Sequence, residues 1–191
     1  MKELLDYFKN TVSVSPEIEN KLNEIIKEKN LVKGEQILTD NSLKKEHVFV
    51  VSGCLRSFYK TEDGKEHTIQ FAIKNWWISD FIAIYNMELA TLTVECVTDS
   101  TIIEFNAQKL DHIHSLFPEF EAFQRKNLER HVVSLHKRIL NQLQLSAQQR
   151  YDLFLEKYPD IEQFTPNYHI ASYLGVTQES LSRIRVEKVK H

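Results

Sequence analysis

The chain has 191 residues, of which 42% are hydrophobic and 27% are charged, and its formal net charge is −3. This balance predicts a packed globular protein with one large or two small domains, and the four Gly and four Pro exclude a linker-rich or disordered chain. No apolar run has the length of a membrane span, and the N-terminal MKELLDYFKN lacks the apolar core of a signal peptide. We therefore expect a cytoplasmic protein with no membrane partner.

The charge is unevenly distributed along the chain. Residues 1–116 carry a net charge of −5, residues 117–164 are neutral and residues 165–191 carry +2. The acidic excess is therefore N-terminal, and the mildly basic C-terminal end is compatible with a nucleic-acid partner. Cys54 and Cys96 match no CxxC pair, so we expect two buried thiols in strands and no iron–sulfur cluster, structural zinc or other cofactor.

The N-terminal residues have a helical pattern that later changes to short strands. Ser15-Pro16 is typical of a helix start, and the apolar stripe that follows extends from Ile18 to Ile26. Beyond Asn30 the sequence contains β-rich runs, and Asp63-Gly64 marks the tip of a hairpin. The runs lie at residues 33–38, 47–60, 68–73 and 90–106. Short strands at this spacing predict a β-roll or barrel.

A long helix is predicted roughly from Glu119 to Leu145, after the helix break at Phe117-Pro118. Its apolar residues repeat with the 4-3-4 spacing of a coiled-coil seam at Leu128, Val132, Leu135 and Ile139. The pattern fits a helix packed on its own domain or a dimer helix, and a long helix between two domains favours the dimer.

The C-terminal residues predict a helix–turn–helix that follows another amphipathic helix at 147–160. Thr165-Pro166 is typical of a helix start, Gly175 suits a tight turn, and Thr177 can cap a second helix. The second helix has a polar face that can bind base edges in a major groove, and this face carries Gln178, Glu179, Ser182, Arg183 and Arg185. The alternative is a helical hairpin that only closes a domain.

The order of these elements and the stretch IASYLGVTQESLSRIR, residues 170–185, resemble the Crp–Fnr superfamily of bacterial transcription regulators over nearly the whole chain. The resemblance implies an α+β fold. It has a cyclic-nucleotide-binding-like β-roll as the effector domain at 1–116, a long dimerisation helix at 117–145, and a helix–turn–helix DNA-binding domain at 146–191. It also implies a homodimer on a palindromic site in double-stranded DNA, with RNA polymerase as a further candidate partner.

The resemblance also assigns roles to residues near the C-terminus. Gln178, Glu179 and Arg183 fall on base-reading positions, with Ser182 beside them. Thr165, Thr177 and Arg185 fall where phosphate contacts are expected. The six residues after Arg185 are too few for the β-hairpin wing of this family, so either this branch lacks the wing or the chain is shortened. Lys188 and Lys190 are then expected to supply backbone contacts.

The roll departs from members that bind cyclic AMP. Ser79-Asp80 stands where those members have Gly-Glu for the ribose, and Ala90-Thr91 stands where they have Arg and a hydroxyl residue for the phosphate. Because the phosphate Arg is missing, we expect that cyclic AMP does not bind in the usual mode. The effector is then an unknown small molecule or absent. Five apolar residues favour core packing over a pocket: Trp76, Trp77, Phe81, Ile84 and Tyr85.

Two other functions stay open. One is a small-molecule-binding or interaction module with a vestigial helix–turn–helix, which the modest charge and the missing wing support. The other is a cupin-like β-barrel enzyme. No predicted strand carries the H-x-H and the following Glu that such an enzyme needs for its metal, so neither a metal site nor enzymatic activity is expected.

Overall fold

The computed structural model describes residues 2–10 and 12–189. Two helices, α1 (Lys2–Lys9) and α2 (Pro16–Ile25), precede the strands, and a short helix, α3 (Phe81–Tyr85), separates the sixth strand from the seventh. The strands in this part of the chain are β1 (Ile26–Leu31), β2 (Gln36–Leu38), β3 (Glu46–Ser52), β4 (Cys54–Lys60), β5 (Glu66–Ile73), β6 (Trp77–Ile78), β7 (Thr93–Cys96) and β8 (Ser100–Asn106).

The remainder of the described chain is helical. It comprises α4 (Ala107–Leu116), α5 (Pro118–Gln144), α6 (Ala147–Lys157), a short 3-10 turn (Ile161–Gln163), α7 (Asn167–Leu174) and α8 (Gln178–Val189). The predicted α+β class, with a β-roll, a long helix and C-terminal helices, is confirmed. Within residues 2–10 and 12–189, no helix has both the length and the apolar composition required to cross a membrane.

The strands form two four-stranded antiparallel sheets that close the roll. One sheet has the order β1-β8-β3-β6 and the other the order β2-β7-β4-β5. The chain passes from β3 in the first sheet to β4 in the second through Gly53, which has φ +87°. A Cβ at Gly53 would lie 2.2 Å from the Ser100 hydroxyl oxygen, so this close approach requires glycine. Cys54 and Cys96 are buried in β4 and β7, as predicted.

The start of the roll differs from the sequence prediction. The helical stripe was expected to include Ile26, but α2 ends at Ile25 and β1 begins at Ile26. β1 has the sequence IKEKNL and pairs with β8 at the edge of its sheet, from Ile26↔Phe105 to Leu31↔Ser100. Most of its side chains are exposed or half-buried. Because an edge strand can carry charges, the sequence lacks the apolar alternation that would have marked it.

The C-terminal helices dock on the roll through a shared aromatic core. Phe71 of β5 is fully buried, and its ring centroid lies 5.8 Å from that of Tyr158 and 5.5 Å from that of Tyr173. Phe154 of α6 lies 6.0 Å from the same ring. Roll residues and helix–turn–helix residues therefore belong to one hydrophobic cluster rather than to two separate cores.

Arg138 of α5 clamps this joint. Its guanidinium donates hydrogen bonds to the backbone oxygens of Thr68 and Ile69 in β5 and of Tyr173 in α7, at 3.2 Å for Thr68 and 3.1 Å for Tyr173. It also lies 4.2 Å from the centre of the Tyr173 ring. Close by, the Thr68 amide donates to the Ser172 hydroxyl at 2.8 Å. One side chain thus joins the roll, the long helix and α7.

A buried charged cluster lies at the same joint. Arg56 is 1% exposed; it donates to Glu95 at 2.6 Å and pairs with Glu66. His169 of α7 lies 3.9 Å from Glu95 and 4.0 Å from Glu66. Burial, together with Arg56, lowers the pKa of His169 to about 3, since Arg56 already engages both carboxylates. At neutral pH a neutral imidazole therefore packs against the Arg56 ion pairs.

Replacing Arg138 with Ala should loosen the docking of the C-terminal helices. Three backbone carbonyls lose a charged donor, which costs roughly 1–3 kcal/mol. The Thr68 amide reports the joint directly, because its hydrogen-bond acceptor lies on α7. We expect it to exchange with deuterium roughly tenfold faster or more in Arg138→Ala. Arg130→Ala, on an exposed residue of the same helix, should leave the rate unchanged. Equal rates in the two variants would contradict a clamp at Arg138.

Candidate nucleic-acid interface and ligand cavity

The two C-terminal helices meet in the turn that the sequence predicted. Gly175 ends α7 in the left-handed conformation, with φ 69° and ψ 37°, and its N–H bonds to the Ala171 and Ser172 carbonyls. The Thr177 hydroxyl accepts a hydrogen bond from the Ser180 amide at 3.2 Å and so caps α8. The inward residues of the two helices are buried at Ile170, Ala171, Leu174, Leu181 and Ile184.

The opposite face of α8 is polar and open to solvent. Its exposed residues are Thr177, Gln178, Glu179, Ser182 and Arg183. Arg183 makes one weak internal contact, a 3.3 Å hydrogen bond to the Ser180 hydroxyl, and is otherwise available. A hydrogen bond from the backbone lowers the pKa of Glu179, so its carboxylate is ionised at neutral pH. Donors and acceptors therefore share a face that no described residue covers.

Thr165 lies away from this face. It is 5% exposed, and its hydroxyl is buried without a hydrogen-bond partner in the described chain. Thr165-Pro166 precedes a helix, as the sequence predicted, but α7 begins at Asn167, with Pro166 at the N-cap position and no side-chain cap.

Arg185 is engaged within its own domain. Its guanidinium donates to the Tyr151 hydroxyl at 3.2 Å and to the Asn167 side chain, and it pairs with Glu162. These contacts hold α8 against α6 and α7. Lys188 likewise pairs with Asp152 at 2.6 Å. Lys190 lies outside the described residues.

The predicted effector residues come together in the roll around the Asp80 carboxylate. Asp80 is 2% exposed, and its Oδ1 accepts the Ala83 amide at 3.1 Å, which caps α3. Its Oδ2 accepts the Thr91 amide at 2.7 Å, the Leu92 amide at 3.0 Å and the Thr91 hydroxyl at 3.1 Å. Ala90 is buried directly before these donors. The carboxylate thus points into the segment where the resemblance places a ligand phosphate.

Ser79 has a different partner. Its hydroxyl lies 3.0 Å from Nδ1 of His47, and both side chains are buried. Burial lowers the pKa of His47 to about 4, with a smaller contribution from His114. The imidazole next to Ser79 is therefore neutral at physiological pH and brings no positive charge to this part of the roll.

A cavity of about 720 Å³ lies between the roll, α5 and the C-terminal helices. About half of the residues that line it are aromatic or apolar, and they include Trp76, Trp77, Phe81 and Leu92 from the roll, Leu128, Val132 and Leu135 from α5, and Tyr158 and Tyr173 from the C-terminal helices. Core packing was expected for the two tryptophans and Phe81, but these three also line the cavity. Ser79 and Asp80 lie at its roll end, whereas Arg138 and Lys157 lie near the DNA-binding-like domain.

Sequence reasoning missed Arg138 and the cavity. Arg138 is one of several basic residues on a long polar helix, and nothing in its neighbours marks it as a clamp. The cavity is formed by side chains that are far apart in sequence, so its existence depends on how the C-terminal helices dock. At the cavity wall, Phe81 stacks on His131 with ring centroids 4.7 Å apart, and this contact joins α3 to α5. Like the cavity, it exists only in the folded chain.

A family model matches part of the chain, and solved structures match most of its length. Residues 28–115 match the family of cyclic nucleotide-binding domains. The search of curated proteins found no match. FixK2 from Bradyrhizobium japonicum superposes with a TM-score of 0.73 at 17% identity, over 85% of this chain and 84% of that one.

Two further solved structures cover still more of the chain. A CooA mutant from Carboxydothermus hydrogenoformans has a TM-score of 0.71 at 22% identity and covers 92% of this chain and 81% of its own. A protein from Eubacterium rectale that is assigned to the Crp/Fnr family of transcriptional regulators has a TM-score of 0.73 at 17% identity, with coverages of 97% and 88%. Residues 28–115 are therefore similar to cyclic nucleotide-binding domains, and over nearly its whole length the chain has the fold of these solved structures.

Proposed function

We propose that the protein is a homodimeric, sequence-specific DNA-binding transcription regulator. The observation that carries this proposal is the uncovered polar face of α8, which belongs to a helix–turn–helix within a Crp/Fnr-type fold. An α-helix fits the major groove of B-DNA, and a second helix of the pair crosses the backbone. The mildly basic C-terminal end agrees with a polyanionic partner.

The exposed residues of α8 suit distinct contacts. Gln178 can bond adenine through two hydrogen bonds, Arg183 can bond guanine in the same way, and Glu179 can accept from the amino group of cytosine. Ser182 lies beside them, and Thr177 stands at the helix start, where a phosphate is favoured. Thr165 is buried and Arg185 is engaged internally, so we assign both to the domain's own structure rather than to DNA.

The dimer is proposed from α5. This helix has 27 residues and would span about 40 Å. Only Phe120 and Phe123, near its start, are buried. Large apolar side chains beyond them are exposed by 40% or more at Val132, Val133, Leu135, Ile139, Leu140 and Leu143. A second copy of the chain fits this surface, because the heptad-spaced seam is self-complementary about a two-fold axis. Leu128, Val132 and Leu135 of the seam also line the cavity, so the α5 helix of the second copy would form a further wall of that cavity.

A two-fold dimer makes the expected DNA site palindromic. Its two α8 helices would enter major grooves about 34 Å apart, one turn of the duplex. Cytoplasmic residence, contact with RNA polymerase and control by a small-molecule effector stay predictions. The proposal assigns no enzymatic activity. Among the described residues, no group of three or more His, Cys, Asp or Glu is arranged to hold a metal ion, and no specific observation favours the cupin-like alternative.

Arg183→Ala should weaken and relax DNA recognition. Loss of a bidentate base contact costs roughly 1–3 kcal/mol and removes the preference at one base pair. A cognate site would first be selected from a random DNA pool with the unmodified protein, and binding to it and to its single-base variants would then be measured at fixed salt. Arg125→Ala removes the same charge from an exposed position on α5 and should keep the parent's preference.

Two outcomes would count against this assignment. Equal binding and equal base preference in Arg183→Ala and in the parent would remove Arg183 from the reading set. If the parent selects no sequence even at low salt, where phosphate contacts are strongest, the helix–turn–helix is vestigial.

Ile139→Glu should dissociate the dimer. Ile139 is 57% exposed, and a carboxylate there would meet its symmetry mate across an apolar seam. Sedimentation velocity should show a dimer for the parent and a monomer for the variant at the same concentration. Lys126→Glu, which introduces a carboxylate on the opposite face of α5, should stay dimeric. A monomeric parent, or a variant that remains dimeric, would contradict the proposed interface.

A further inference from the structure

We propose that the Asp80 carboxylate is an internal anion that occupies the donors of Thr91 and Leu92 and thereby excludes anionic ligands, cyclic nucleotides included, from this part of the roll. The roll would then accept only an uncharged ligand next to Asp80. This inference goes beyond the proposed function, because it concerns the ligand class of the roll and does not depend on DNA binding.

The geometry around Asp80 is that of a filled anion site. Three donors converge on one carboxylate oxygen, two from backbone amides and one from the Thr91 hydroxyl, all within 3.1 Å. The other oxygen is held by the Ala83 amide. The donors lie 11 and 12 residues beyond Asp80 in the chain, so the fold has brought them to the carboxylate. Hydrogen bonds to an ionised acceptor are among the stronger ones in proteins.

A ligand phosphate would need the same donors. It would have to displace the carboxylate of Asp80, which is 2% exposed, or lie beside it as a second negative charge. Two neighbouring anions repel each other strongly away from water unless a cation compensates them. Entry of an anion is therefore opposed both by the lost hydrogen bonds and by the charge.

The basic groups nearby do not compensate a second anion. His47 is neutral, because burial lowers its pKa to about 4. Lys44 is committed to Glu104 at 2.6 Å and to Glu46 at 3.1 Å. Arg138, at the far end of the cavity, donates to backbone oxygens. Phe81 and Leu92 give the wall next to Asp80 an apolar part, and the pKa of His131, which stacks on Phe81, is lowered by burial. Arg130 and Lys157 also line the cavity, and Lys157, in α6, donates to the Ser134 hydroxyl at 3.1 Å. An uncharged, apolar ligand meets none of these penalties.

The test is an NMR titration of the full chain with inorganic phosphate, and separately with cyclic AMP, at constant ionic strength. In the parent, the amide resonances of Thr91 and Leu92 should not move. In Asp80→Ala the same donors are free, so both resonances should shift and saturate with phosphate. Asp63→Ala removes one carboxylate from the exposed hairpin tip and should behave as the parent. Shifts of these two amides in the parent would overturn the proposal, as would their absence in folded Asp80→Ala.

The titration with phosphate and cyclic AMP does not involve DNA, so its failure is distinguishable from failure of the regulator proposal.

Discussion

The joint between β5 of the roll and α7 of the helix–turn–helix is the contact on which the remaining arrangement depends. Phe71 is shared by the aromatic cores of both parts, and Arg138 binds backbone oxygens on either side. Buried aromatic rings supply the free energy of docking, while the backbone hydrogen bonds make it directional. The position of α8 relative to the roll and to α5 follows from this one contact.

The same joint links the candidate ligand cavity to the candidate DNA interface. Tyr158 and Tyr173 line the cavity, and Tyr173 belongs to α7, which packs directly against α8. A ligand in the cavity would therefore touch the long helix and the C-terminal helices at once. Asp80 lies at the opposite end, where it already satisfies the donors that an anion would use. The cavity thus has one end at Asp80, which we propose excludes anions, and one end at the domain joint.

The sequence predicted the parts of the site that are local. Gly175, Thr177 and the polar face of α8 follow from turn chemistry and helical spacing, because each involves residues within a few positions of one another. Three assignments needed the fold. Thr165 is buried, and Arg185 is held by Tyr151 and Glu162. The sequence did not predict β1, because an edge strand carries its charges on the exposed side.

By itself, the sequence determined the α+β class, the order of roll, long helix and helix–turn–helix, and the polar face of α8. Helical periodicity and capping could be predicted because they depend on residues that are close together in the chain. The resemblance to cyclic-AMP-binding members also predicts that the roll lacks their phosphate-binding Arg. Only the tertiary structure decided that Asp80 takes the donors of Thr91 and Leu92, that Arg138 clamps the joint, and that a cavity lies between the two halves. The first two features join groups 11 to 70 positions apart in the chain, and the cavity brings Trp76 near Tyr173, 97 positions away. No local sequence pattern predicts contacts between residues so far apart.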